Sequence, residues 1–265
     1  MDSSFIVDSH AHLDMKPFDA DREQVIARAH EKGVRLIVNI GIDLQSSRES
    51  VKLTERYEGV FATVGVHPHE ADKLTEAALI ELGQLLERPR VVAVGETGLD
   101  FYRNLSPREK QVEAFQKQLA LAQSHDKPVV VHSRDASRET YDILSAWARP
   151  AGRPIGVLHC FSGDVRLAWK YVEMGFLISI SGTVTRSSQA AEVARELPMD
   201  KLLVETDSPF LTPQPIKDRR NQPAYITTTV EKIAQVRGIS SEAVARRTAQ
   251  NAISLFNLGV PVPCP

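Results

Sequence analysis

Cysteine is almost absent from this chain of 265 residues, with Cys160 and Cys264 the only two. Two thiols so far apart provide no disulfide framework, which excludes the small stapled scaffolds and makes a reducing cytoplasm the expectation. Long apolar runs are absent as well. None approaches the roughly 20 residues of a membrane span, and Met1-Asp2-Ser3-Ser4 has no basic stretch leading into a sustained apolar one, so neither a membrane segment nor a signal peptide is expected. Excess charge of either sign is missing: 32 Lys and Arg stand against 34 Asp and Glu, a formal net charge of −2. That balance excludes a protein that wraps nucleic acid in a broad basic surface, but not one whose bound cations supply the positive charge locally. No Gly-rich phosphate loop follows the first apolar run, which counts against a dinucleotide fold.

What the chain does have is a regular alternation. Hydrophobic residues make up 42% of it, enough to bury a large core. They recur as eight short runs: Phe5–Ser9, Val34–Ile40, Val60–Val64, Val91–Val94, Pro128–Val131, Ile155–Leu158, Phe176–Ile180 and Lys201–Val204. Segments of helical period separate these runs, and two more follow the last, Ala224–Val236 and Ser241–Phe256. One of them, Pro107–His125, reads as a capped helix, with Ser106 as cap, Pro107 at the first position and Glu109 completing a capping box. Alternating strands and helices imply parallel pairing through right-handed crossovers. Eight such units predict one α/β domain over residues 1–265, a closed (β/α)8 TIM barrel. The long irregular segment Ser208–Pro223 follows the eighth strand, where barrels of this kind place substrate-contacting loops.

In such a barrel the C-terminal ends of the strands share one rim, and there the ligand-type residues fall. His10 and His12 end the first strand, within Asp8-Ser9-His10-Ala11-His12, and His67 follows the third. Glu96 ends the fourth, His132 the fifth, His159 the sixth and Asp207 the eighth. Strict alternation puts His10 and His12 on one face, together with Asp8. Imidazole and carboxylate ligands suit zinc, manganese or iron, and an oxygen-rich share admits magnesium. Six ligands exceed one tetrahedral site, whereas two ions roughly 3.5–4 Å apart would use them all, with Glu96 as the bridge. Such a pair clamps the attacking and leaving oxygens of a phosphodiester, so the pattern reads as a metal-dependent hydrolase.

Each residue taken alone has a plainer role, since a buried histidine such as His132 or His159 is more often a hydrogen-bonded core residue than a ligand. It is the coincidence at matching strand ends that favours metal. His30 and His125 fall inside helices and read as surface residues, and Cys160 as a small core residue. Trp147 and Trp169 read as barrel-wrapping core. Arg134, two residues past His132, suits a phosphate or carboxylate clamp, and Tyr102 and Arg103 suit stacking on and gripping a nucleotide. The cluster Lys217-Asp218-Arg219-Arg220 is either solvated or a phosphate contact. His67 and Asn221 complete the candidates for substrate binding.

With these motifs in hand, the chain resembles the TatD family of metal-dependent deoxyribonucleases, within the amidohydrolase-like barrels. The resemblance runs through Gly65-Val66-His67-Pro68-His69, Gly95-Glu96-Thr97-Gly98-Leu99-Asp100, His132-Ser133-Arg134, His159-Cys160-Phe161 and Glu205-Thr206-Asp207-Ser208-Pro209 to Arg220-Asn221-Gln222. It implies that His10, His12 and Asp207 hold one divalent ion and His132 and His159 another, with Glu96 shared. Magnesium is the ion the resemblance favours, with manganese or zinc as alternatives. It further implies 3′–5′ exonuclease action on single-stranded DNA. A place at a metal and near the attacking water makes Asp207 the expected proton acceptor, with Glu96 and Asp207 the expected catalytic residues. Gln222 departs from the acidic residue many relatives carry there. The competing expectation keeps the barrel and the metals but hydrolyses esters or amides, as an aminoacyl-tRNA deacylase does. A metal-holding binding protein without chemistry is the remaining alternative.

Overall fold

The computed structural model describes residues 5–148 and 152–260; Cys264 lies outside them. Eight strands occur where the apolar runs mark them: β1 (Ile6–Ala11), β2 (Val34–Ile40), β3 (Val60–Val64), β4 (Val91–Asp100), β5 (Val129–Arg134), β6 (Gly156–Leu158), β7 (Phe176–Ile180) and β8 (Leu202–Val204). They pair in sequential order and in parallel throughout. β8 is too short to complete the ring by itself, and the chain beyond it does so. Ala11 bridges Ser208, Asp207 N donates to His10 O at 2.9 Å, and His12 N donates to Ser208 O at 2.8 Å. The expected TIM barrel is present, closed by the stretch that carries His10, His12 and Asp207.

Alternation along the strands sorts side chains into two buried layers. Outward residues such as Val34, Val129, Val131, Ile178 and Val204 join the apolar faces of the surrounding helices. Those helices are α1 (Arg22–Glu31), α2 (Leu44–Arg56), α3 (Glu76–Leu86), α4 (Arg108–Ser124), α5 (Ser137–Trp147), α6 (Val165–Glu173), α7 (Ser188–Glu196) and α8 (Ile226–Arg237). Inward residues Val7, Leu36, Val38, Val130, Val157, Leu177 and Leu203 form the second layer. A last helix, α9 (Ser241–Phe256), sets Ala249, Ala252, Ile253 and Phe256 against that inner layer. Counting two residues onward from the inner layer gives the upper barrel: His132 from Val130, His159 from Val157, Glu205 from Leu203.

β1 breaks this rule. Its pairing with β2 shifts register between Asp8 and Ala11, so Val7 and Ser9 face inward and His10 and His12 still reach the rim. Ser9 Oγ donates to Val204 O at 2.9 Å inside the barrel. Asp8 therefore does not share the histidines' face. Its carboxylate accepts from Thr206 N at 2.9 Å and Thr206 Oγ1 at 2.6 Å, tying β1 to the segment that carries Asp207.

Two smaller expectations are corrected. Helix α4 starts at Arg108 with Pro107 at its cap position and no side-chain cap; Ser106 Oγ faces His69 O at 2.9 Å and Asp72 Oδ1 at 3.0 Å instead. Trp169 is 39% exposed, because α6 turns Ala168 and Tyr171 to the barrel and the position between them looks elsewhere. Trp147 does pack on the core and donates from Nε1 to Leu119 O at 3.1 Å. Among the described residues no helix is long and apolar enough to cross a membrane.

Because Phe256 is 2% exposed in the inner cluster, Phe256→Ala is expected to cost about 3–5 kcal/mol of stability. In a domain of this size that is a fall in Tm of roughly 10 °C, readable by calorimetry. Divalent-cation affinity at the opposite end of the barrel should not change.

Candidate metal centre

Six side chains from five strand ends, His10, His12, His67, His132, His159 and Asp207, meet around the carboxylate of Glu96. On one side His10 Nε2 lies 3.4 Å from Glu96 Oε2 and His12 Nε2 lies 3.9 Å from it. The two imidazole nitrogens are 3.2 Å apart, and Asp207 Oδ1 is 3.6 Å from His10 Nε2 and 3.3 Å from His12 Nε2. On the other side Glu96 Oε1 is 2.9 Å from His132 Nδ1 and 2.7 Å from His159 Nε2, which are themselves 3.1 Å apart. The two oxygens of one carboxylate thus face two different imidazole sets.

The spacing fits cations. Tetrahedral bonds of roughly 2.0–2.2 Å place neighbouring ligand atoms about 3.3–3.6 Å apart, and octahedral bonds of that length about 2.8–3.1 Å. The first set, at 3.2–3.9 Å, lies around the former and the second, at 2.7–3.1 Å, around the latter. The triples His10–His12–Glu96 and His67–Glu96–His132 each bring ligand atoms within 4.8 Å of one another. His10 Nδ1, His159 Nδ1 and Glu205 Oε2 are buried without a hydrogen-bond partner, as in a cluster of charge that its own hydrogen bonds do not fully satisfy.

The electrostatics follow from burial and crowding. Burial alone would raise the carboxyl of Glu96, but the charge of His159 and the hydrogen bonds of His10 and His132 outweigh it and hold the group well below the usual carboxylate range. Asp207 is likewise buried yet lowered, by His12 first. Burial pushes the His67 imidazole down to about 4, leaving it neutral. For His159 burial opposes protonation, while Glu96 and Glu205 override it and raise the group. A centre this rich in negative charge attracts cations, whether protons or metal ions.

A further layer holds the imidazoles. Asp100, 1% exposed, has its Oδ2 at 3.2 Å from His132 Nε2 and 2.9 Å from His69 Nε2. This turns Nδ1 of His132 to Glu96. Glu205, fully buried, has its Oε1 at 3.7 Å from His159 Nδ1 and accepts from Cys160 N at 2.6 Å. These carboxylates belong to motifs that name them, yet neither was singled out from sequence. Glu205 was within reach, since it follows inward-facing Leu203 by two. Buried amides fix the surrounding loops. Gln118 joins Val66 and Thr97, beside His67 and Glu96, through bonds of 2.7–2.9 Å, and Gln111 accepts from Asp100 N at 2.8 Å. At Gly98 (φ +135°) a Cβ would meet His132 O at 2.0 Å, so glycine lets β4 approach the strand that bears His132.

The remaining candidates divide. Tyr102, Arg103 and Arg134 are exposed, and the Arg134 guanidinium lies over the Tyr102 ring at 4.0 Å. His67 is not on the open rim: its Nε2 is 3.5 Å from Glu96 Oε1 and its Nδ1 accepts from His69 N. Asn221 is fully buried and its polar atoms serve the loop. It donates to Thr206 O and Phe210 O, and its Oδ1 accepts from Gln222 N, at 2.7–2.9 Å. Its expected contact with substrate is therefore replaced by a fastening role. Arg220 is spent on Asp21, to which both of its terminal nitrogens donate at 2.7 Å, while Lys217 and Arg219 stay exposed. Cys160 sits 3.4 Å from Ser181 Oγ, and burial pushes its thiol up to about 12, which leaves it unreactive.

Fold and site together define a (β/α)8 hydrolase barrel with a two-sided imidazole–carboxylate centre. The chain belongs to the TatD related DNase family, whose description matches residues 7–257. It is 37% identical over 255 residues to the uncharacterized metal-dependent hydrolase YabD of Bacillus subtilis (strain 168), covering 96% of this chain and 99% of that protein. Identity to the 3′-5′ ssDNA/RNA exonuclease TatD of Salmonella typhimurium is 36% over 258 residues, covering 95% and 98%. The solved structure of YjjV, a TatD homolog from Escherichia coli K12, superposes with a TM-score of 0.90 at 32% identity, covering 98% of this chain and all of that one. The expected family and fold are both met, and the chain is a TatD-type metal-dependent hydrolase.

Carboxylates that orient metal-binding histidines typically govern affinity about 10–100-fold. Asp100→Asn and Glu205→Gln are each expected to weaken zinc binding by that factor in isothermal titration calorimetry, with little change in the urea midpoint. Unchanged affinity in both would assign these carboxylates to core packing alone.

Proposed function

We propose that the chain is a metal-dependent phosphodiesterase, a deoxyribonuclease that removes nucleotides from the 3′ end of single-stranded DNA. The observation that carries this reading is the division of Glu96, with one oxygen toward His10, His12 and Asp207 and the other toward His132 and His159. A pair of divalent ions, magnesium in use with manganese or zinc as substitutes, would supply Lewis acidity to the phosphoryl oxygens and acidify a water. His10, His12 and Asp207 would hold the first ion and His132 and His159 the second, with Glu96 serving both sets. Asp207, whose side chain is 14% exposed, is the group at the mouth placed to accept the proton of the attacking water. Arg134 and Arg103, both exposed on the rim, neutralise charge on the phosphoryl oxygens. His67 stays neutral and steadies Glu96. A reducing compartment, the cytoplasm, suits a chain with two cysteines. The relatives named 3′-5′ ssDNA/RNA exonuclease support the choice of substrate.

The test is hydrolysis of 5′-labelled single-stranded DNA with magnesium or manganese. Chelator is expected to abolish it and added metal to restore it. Glu96→Gln and Asp207→Asn should each lower kcat about 10²–10⁴-fold. A ladder shortening one nucleotide at a time fits the exonuclease. Turnover of an aminoacyl ester with none of DNA would replace the reading by ester hydrolysis.

A further inference from the structure

Six large hydrophobic side chains are exposed among the described residues: Ile80, Tyr102, Leu105, Trp169, Phe210 and Ile239. Three of them, Tyr102, Leu105 and Phe210, lie on just two loops, those that follow β4 and β8. In a ring of eight strands in sequential order β4 and β8 stand opposite one another. Apolar surface is therefore displayed on two facing walls of the mouth, with the Glu96 cluster between them.

Phe210 is 50% exposed, yet its backbone is fixed: its N donates to Asp207 O at 2.9 Å and its O accepts from the buried amide of Asn221 at 2.7 Å. Its ring stands edge-to-face to His12, centroids 6.1 Å apart. Tyr102, 62% exposed, lies under the Arg134 guanidinium and two residues past Asp100, the partner of His132. A line across the mouth thus runs from Phe210 through His12, Glu96, His132 and Asp100 to Tyr102. A single exposed aromatic is ordinary on a protein surface. Two on opposite walls, each beside a different imidazole set, with exposed Arg103, Arg134, Lys217 and Arg219 on the same rim, match a ligand that is anionic in the middle and aromatic at both ends.

Resting on the phosphodiesterase reading above, we propose that Phe210 and Tyr102 are stacking platforms for the two nucleobases that flank the scissile phosphate. The phosphate sits over the centre, one base lies on Phe210, and the other lies on the face of Tyr102 that the Arg134 guanidinium leaves open. Adjacent bases in a duplex are stacked on each other and paired, so they reach opposite walls only after unstacking, at a cost of a few kcal/mol. In a single strand that cost is small and each aromatic face returns stacking energy whatever the base. Selection for single strands then follows from the geometry of the mouth, without sequence preference.

The test uses the full chain and a short oligothymidylate, alongside the same strand with tetrahydrofuran residues in place of its last two nucleotides. Phe210→Ala and Tyr102→Ala are expected to raise KM on the base-bearing strand about tenfold or more with kcat changed far less. Phe210→Trp and Tyr102→Phe should restore it. On the baseless strand the alanine variants should match wild type. Equal losses on both strands, or no loss on either, would overturn the proposal. A second arm reads stacking without turnover, through the fluorescence of 2-aminopurine placed next to an uncleavable terminal linkage. Wild type should quench it several-fold and Phe210→Ala should not. If wild type hydrolyses no strand, the phosphodiesterase reading falls while quenching still decides the platforms; base-independent hydrolysis without quenching removes the platforms alone.

Discussion

The carboxylate of Glu96 is 3% exposed, and water does little to stabilise its charge. A buried carboxylate is costly unless neighbouring groups compensate for the lost hydration. Here the compensation is distributed: His10 and His12 come from β1, His67 from beyond β3, His132 from β5 and His159 from beyond β6, while Asp207 meets His10 and His12 from beyond β8. No one element of the fold builds this environment. The ring must close before it exists, and the last bonds of closure, Asp207 N to His10 O and His12 N to Ser208 O, belong to the residues that meet there. Barrel closure and site assembly are one event.

That coupling explains a division of labour along the barrel axis. At one end the inner layer of Val7, Val130, Val157 and Leu203 is sealed by Ile253 and Phe256 of α9, and its contribution is burial of apolar area. At the other end the same inward positions, two residues further on, carry His132, His159 and Glu205, and their contribution is electrostatic. Burial there is made tolerable by partners: Asp100 behind His132, Glu205 behind His159, Thr206 against Asp8. Buried amides rather than apolar contacts hold the loops, with Gln111, Gln118 and Asn221 each bonding backbone groups. An amide in place of a hydrophobe gives the loop a fixed position without adding bulk near the centre.

Local pattern carried most of this into the sequence. Eight apolar runs announced the strands, and polar residues of metal-binding type at their ends announced which rim mattered. What stayed hidden depends on pairing between distant segments. Whether Asp8 shares a face with His10 is decided by a register shift against β2, and alternation within β1 cannot report it. Ser106 sits where a cap is expected, but His69 and Asp72, more than thirty residues upstream, claim its hydroxyl. Trp169 reads as core because tryptophan usually is, while its place between Ala168 and Tyr171 turns it outward. Asn221 resembles a substrate contact until the loop around Phe210 is seen to use each of its polar atoms. Glu205 had a legible signal, its parity with Leu203; Asp100 did not, because β4 changes register after Val94.

The centre by itself has little power to choose. A pair of divalent cations held here would polarise a phosphoryl or a carboxyl oxygen alike, so the cluster of His10, His12, Glu96, His132, His159 and Asp207 points to a type of chemistry more than to a substrate. Discrimination has to come from groups that touch what lies beyond the reacting atoms. At the mouth, Tyr102 and Leu105 after β4, Arg134 at the end of β5 and Phe210 after β8 are exposed to meet such parts of a substrate. The backbone of these loops is tied down by the buried amides beneath it, and on the stacking proposal that fixed backbone is what lets the aromatic faces select instead of merely adhere. Exchanging rim side chains on such a frame leaves the carboxylate and its imidazoles untouched. The reverse exchange, within the ligand set, removes a partner from a buried charge and so threatens chemistry and closure of the barrel together.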